Sequence, residues 1–196
     1  MPEYVDTGVA QLFALVSEAL AGATYALLEA DTTTARLIVD RDRYIDKLAA
    51  EVEAGVWAEV DKAPRTEVRR LFTVLMILPE LERSADLAEH IARRAVDGIG
   101  QEMSPLSRGL MQRMTEVALE MWAAVAEAYE QSASVEANLA EADEELDILR
   151  DRLTAEVATG KMESGVAAQV TLLGRFYERL GDHAVNLSRR IGTSAR

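Results

Sequence analysis

The sequence predicts an all-α fold of six helices, arranged as a tandem repeat of two three-helix bundles. Three observations carry this. Apolar residues recur at spacings of three and four along almost the whole chain, which is the period of an amphipathic helix, and no stretch sustains period-two alternation. The prolines and glycines fall mostly at breaks between those periodic segments. One acidic and basic pattern, ERSADLAEHIARRA at 82–95, is written a second time as ERLGDHAVNLSRRI at 178–191.

Taken in order, the first helix spans 6–30 and stops at ADTTT, a cluster of turn and N-cap residues. The second, 34–60, carries an apolar seam of Ile38, Ile45, Leu48 and Val52 and ends at DKAPRT. That break places a Pro and a Thr at the start of the third helix, 66–97, whose seam is Ile77, Leu81, Ala88 and Ile91. Pro79 lies inside it and removes one backbone hydrogen bond, so a kink is expected there. The longest polar break, DGIGQEMSP, sits mid-chain and divides it into repeats at 1–100 and 101–196. A fourth helix, 105–131, ends at QSAS. The fifth, 134–158, has the seam Leu139, Leu146, Leu149 and Leu153 and stops at ATGK. The sixth, 161–191, buries Leu173, Tyr177, Leu180, Ala184 and Leu187.

Bulk chemistry narrows the function. With 21 basic and 34 acidic residues the formal charge is −13, the wrong sign for a nucleic-acid or anionic-membrane binder. The chain has no cysteine, which excludes disulfides, thiolate metal sites and Cys nucleophiles. Its start, MPEYVDTGVAQLF, lacks the basic region and apolar run of a signal peptide. The longest strongly apolar run is VLMIL, so no membrane span is expected and the expected location is cytoplasmic.

The duplication is specific at its acidic residues. Segments 82–94 and 178–190 agree at six of thirteen positions, and DRDRYIDKL at 40–48 aligns with EADEELDIL at 141–149. Each half then carries two acidic pairs at i, i+4: Asp42/Asp46 and Glu82/Asp86, then Asp143/Asp147 and Glu178/Asp182. All four pairs follow the apolar seam by one position, about 100° of rotation, and so border the buried stripe. The second and third helices of each repeat can bring two pairs to one groove. Four carboxylates there repel unless protonated, paired with Arg or bound to a cation, and an oxygen-only set suits divalent or iron metal ions. His90 and Asn186 stand one turn further along the same face. Two readings stay open from residues alone: solvated helix surface, or two cation-binding grooves. Arg93/Arg94 and Arg189/Arg190 are read as last-turn cations answering the helix dipole.

LLGRFYERLGDHAVNLSRRI at 172–191 resembles the closing helix of the PhoU family, and LERSADLAEHIARRA at 81–95 resembles the matching helix of that family's first repeat. ATYALLEADTTTARLIVDRDRYIDKLAAEVE at 23–53 is similar to its first helix pair. The resemblance implies a regulator of phosphate uptake and of the phosphate-starvation response, a homodimer linking the phosphate ABC transporter to a sensor histidine kinase. It also implies metal clusters, with Asp42, Asp46, Glu82 and Asp86 at one and Asp143, Asp147, Glu178 and Asp182 at the other. The chain departs from the family pattern at Met76, at Pro79 and at Ser84-Ala85-Asp86, all in the first repeat.

Rival classes fare worse. The histidines do not occupy equivalent positions, no Glu-x-x-His pair of a di-iron bundle exists, and neither a phosphate loop nor a nucleophile elbow is present. No catalytic residue is expected, and His183 reads as structural. A plain helical scaffold, or an accessory protein of another transporter, is the alternative. Trp57 and Trp122 suit core and interface equally.

Overall fold

The computed structural model describes residues 3–131 and 136–194. Among them are seven helices and no strand: α1 (Glu3–Glu29), α2 (Thr32–Val60), α3 (Arg65–Val96), α4 (Ile99–Glu102), α5 (Pro105–Gln131), α6 (Glu136–Val157) and α7 (Ser164–Ser194). The all-α expectation holds, with one addition. The central break contains a single extra turn, α4, which follows Gly98 in the left-handed region at φ 78°. The expected start of the fifth predicted helix, 134–135, lies outside the described residues.

Local chemistry sets the helix starts. Asp31 caps α2, its Oδ1 accepting from the Thr33 and Thr34 amides at 3.1 and 3.0 Å. Its carboxyl is held below the usual range, chiefly by the Thr34 hydroxyl. Ser104 Oγ accepts from the Ser107 amide at 3.1 Å to open α5. α7 begins later than the expected 161 because the Glu163 carboxylate accepts the Gly165 and Val166 amides at 2.7 and 3.2 Å. α3 runs through Pro79 without a break.

One apolar core serves both bundles. α1 packs on α2, α3 and α5, α5 packs on α6 and α7, and α3 lies against α7. α1 is long and apolar enough by composition to cross a bilayer. Its apolar positions, Val5, Val9, Leu12, Val16, Leu20 and Leu27, are buried in this core instead. Trp122 is fully buried, donates its indole N–H to the Leu180 carbonyl at 3.1 Å and packs near Phe13; Trp57 is exposed. The only polar link at this depth that spans α1, α5 and α7 among the described residues is Thr24, whose hydroxyl meets Tyr177 at 2.5 Å and Thr115 at 3.1 Å.

The α3–α7 seam follows the internal repeat. At one end Arg94 stacks over Phe176, 5.0 Å from its centroid, and reaches Gln169 at 3.2 Å. At the other, Arg190 pairs with the buried Glu80 at 3.0 Å and donates to the Met76 carbonyl. Arg94 and Arg190 are equivalent positions, as are Glu80 and Phe176. In the middle the Ser84 hydroxyl meets His183 Nδ1 at 2.8 Å. Burial lowers the His183 pKa below its ordinary value, with Glu80 opposing. The dipole reading of the second arginine pair is corrected here. α7 continues to Ser194, so Arg189 and Arg190 precede its last turn, and Arg190 is a clamp onto α3.

Candidate metal centres

α2 and α3 bring the first repeat's acidic pairs together. Asp42, Asp46 and Asp86 each offer a carboxylate oxygen within 4.8 Å of the others, the one such group of three among the described residues. The cause is the shared offset from the seam. Ile45 and Ala49 on α2 are buried, as are Leu81, Ala85 and Ala88 on α3, so the preceding or following acidic positions of both helices meet at the rim. Burial, and then the charges of Asp46, Asp86 and Glu89, push the Asp42 carboxyl up to about 6. Glu82 and Asp86 are also raised, first by burial and then by Asp46. Asp42 Oδ1 is buried with no hydrogen-bond partner in the chain. A bare, oxygen-only set with an orphaned acceptor fits a hard cation.

The second repeat holds its acidic pairs differently. Asp143 is half-buried and raised, first by burial and then by Asp182, Asp147 and Glu178. Arg150 enters from α6, with its Nη1 3.0 Å from Asp147 Oδ1 and 3.1 Å from Glu178 Oε1. Arg175 reaches the same Glu178 oxygen at 2.6 Å. Glu178 Oε2 remains buried without a partner. The four carboxylates therefore face one groove, but two guanidinium groups already neutralise part of it. Glu178 Oε2 is the orphaned acceptor of this groove, but among the described residues its acids do not gather three oxygens within 4.8 Å of one another as the first set does.

Several neighbours escaped the sequence reading. Glu89, only 8% exposed, faces Asp42 and Asp86 and is held by Arg93 through Nε at 2.7 Å. It stands seven residues after Glu82, two helical turns along the same face, which is a signal the i, i+4 search passed over. Arg150 and Arg175 were missed because both look like ordinary i, i+3 partners of Asp147 and Glu178. His90, offered as an extra ligand, stacks on Phe176 with centroids 5.5 Å apart. His183, read from the sequence as structural, lies on the α3–α7 seam against the Ser84 hydroxyl.

Known proteins share both the sequence and this architecture. The PhoU domain family matches residues 9–95 and again 111–191. The phosphate-specific transport system accessory protein PhoU homolog 1 of Mycobacterium leprae is 30% identical over 189 residues, covering 93% of this chain and 85% of that protein. Homolog 2 of Mycobacterium tuberculosis is 30% identical over 187 residues, covering 92% and 88%. The crystal structure of PhoU from Pseudomonas aeruginosa superposes with a TM-score of 0.86 at 21% identity, over 95% of this chain and 93% of that one.

Proposed function

Since the chain belongs to the PhoU family, we propose that it is an accessory regulator of phosphate uptake. It holds the phosphate-starvation response off when phosphate is plentiful, linking the phosphate ABC transporter to a sensor histidine kinase. It acts in the cytoplasm as a homodimer of two-repeat chains, divided near residue 100, and by binding rather than turnover.

The observation that supports this reading is the duplicated carboxylate groove, with one buried, unpartnered oxygen in each copy, Asp42 Oδ1 and Glu178 Oε2. Asp42, Asp46, Glu82 and Asp86 would hold one metal centre, and Asp143, Asp147, Glu178 and Asp182 the other. A bound divalent or iron ion supplies positive charge that lets each set of carboxylates stay ionised side by side. The chain's own contribution is to fix the two acidic helices of each repeat against one core, so that the groove keeps its shape. The acidic exterior then suits basic patches on the membrane-associated partners.

The test is a starvation reporter, such as secreted phosphatase, in a deletion strain grown with ample phosphate. The reporter is expected to switch on, the intact gene to silence it, and a gene with all eight carboxylates changed to amides to leave it on. A silent reporter in the deletion strain would remove the regulatory role while leaving the fold untouched.

A further inference from the structure

The two grooves share their carboxylates and differ in their cations. Arg150 aligns with Ala49 of the first repeat, a buried residue, and Arg175 aligns with Pro79. A third exchange makes room for the first. Gly174, where the first repeat has Leu78, lies under the Arg150 stem, and a Cβ there would sit 2.9 Å from Leu153 Cδ2 and 3.7 Å from Arg150 Cγ. The second groove thus admits a long cationic side chain at a position where the first has a buried alanine.

We propose that Arg150 is a tethered competitor of the metal at the second groove, so that the two centres load in sequence, the first before the second. This rests on the metal-binding reading above. A guanidinium is charged at every physiological pH and presents a fixed fork of donors. Here one of its nitrogens lies on Asp147 Oδ1 and Glu178 Oε1 together, carboxylates of two of the four residues assigned above to the second centre. The side chain is largely enclosed, at 24% exposure, so its pairs are less screened than surface ones.

It also has somewhere to go. Arg150 Nη2 already lies 2.9 Å from Asp151, a residue 73% exposed and outside the groove. An ion entering the groove frees Arg150 to keep that outer pair. Arg175 is 52% exposed and pairs with the same Glu178 oxygen, which makes it the weaker competitor.

The experiment titrates Mn²⁺ calorimetrically into the full chain with one groove silenced at a time. Asp46→Asn with Asp86→Asn leaves the second groove, and Asp143→Asn with Asp182→Asn leaves the first. In the first background Arg150→Gln is expected to lower the dissociation constant about tenfold, since losing the fork removes a charge-assisted rival. In the second background the same change is expected to have no effect. An unchanged or weakened second groove overturns the proposal and makes Arg150 a strut for Glu178. Should Arg150→Gln lose its helical circular dichroism, Arg150→Lys carries the test. It keeps the charge without the fork, about threefold tightening is expected, and no change overturns. Absence of Mn²⁺ binding in the unsubstituted chain at both grooves sinks the metal reading itself and this proposal with it, an outcome distinct from the previous ones.

Discussion

The groove between α2 and α3 and the groove between α6 and α7 descend from one pattern, yet they solve the repulsion of four carboxylates in different ways. The first keeps Arg93 on Glu89, and three of its acids, Asp42, Glu82 and Asp86, hold their protons more tightly than usual. The second brings arginines to Asp147 and Glu178. The contrast follows from single exchanges on the packing side of the helices. Ala49, Leu78 and Pro79 of the first repeat supply no cation from these positions; in the second, Arg150 and Arg175 supply two, with Gly174 beneath Arg150. A conserved acidic spacing therefore does not fix the electrostatics of a groove. The neighbours one helix away do.

The largest expected effect concerns how closely α7 approaches α6. Gly181 aligns with Ala85. A Cβ at Gly181 would meet Leu146 Cδ1 at 2.5 Å and Asp143 Oδ1 at 3.2 Å, whereas Ala85 already carries its methyl in the first repeat. Gly181→Val is expected to destabilise the chain by about 2–3 kcal/mol through overpacking. Ala85→Gly is expected to cost only about 1 kcal/mol, the helix penalty of glycine. Urea unfolding followed by circular dichroism measures both. Equal losses would mean that the two helix pairs approach alike.

A smaller effect has opposite sign in the two grooves. In metal-free protein near neutral pH, Asp46→Asn removes a like charge from Asp42, Glu82 and Asp86 and is expected to stabilise by roughly 0.5–1 kcal/mol. Asp147→Asn instead strips Arg150 of one partner and is expected to destabilise by a similar amount, about 0.5–1 kcal/mol. Added salt should shrink both changes. Matching signs would erase the difference between the grooves.

The sequence carried the helices and the meeting of Asp42, Asp46 and Asp86 well, because both are periodic. An i, i+4 pair beside a buried seam is a local pattern, and Ile45, Leu81, Leu146 and Leu180 are buried as that seam requires. What it did not carry is non-local. Arg150 reads as a partner of Asp147 three residues away, and only the packing of α7 adds Glu178. His183 finds Ser84 across 99 residues, and Arg190 finds Glu80 across 110, pairings that no spacing announces. The extra turn α4 hid inside a break because four residues are too few to show a period.

The pH dependence of stability separates the grooves on a finer scale. Asp42 titrates near 6 in the folded chain against 3.8 for an unperturbed Asp, so the folded state binds its proton more strongly than the unfolded state does. Its contribution to stability is then greatest below about 4, falls as pH rises towards 6, and is flat above that. Solvent screening at this half-exposed residue keeps the change to about 1 kcal/mol. Asp143 shifts the same way, from burial first and then Asp182. Because the whole chain is acidic, the general loss of stability with rising pH is shared by many groups, and substitution isolates each one. Urea midpoints at pH 4.5 and 7 in the metal-free protein are expected to differ less in Asp42→Asn than in the unsubstituted chain, with Asp143→Asn giving the smaller correction. Mn²⁺ should reverse the trend, since only ionised carboxylates bind it and its stabilisation grows as they deprotonate. Equal flattening by the two substitutions would mean that Arg150 and Arg175 do not relieve the second groove, and that the two halves differ in sequence alone.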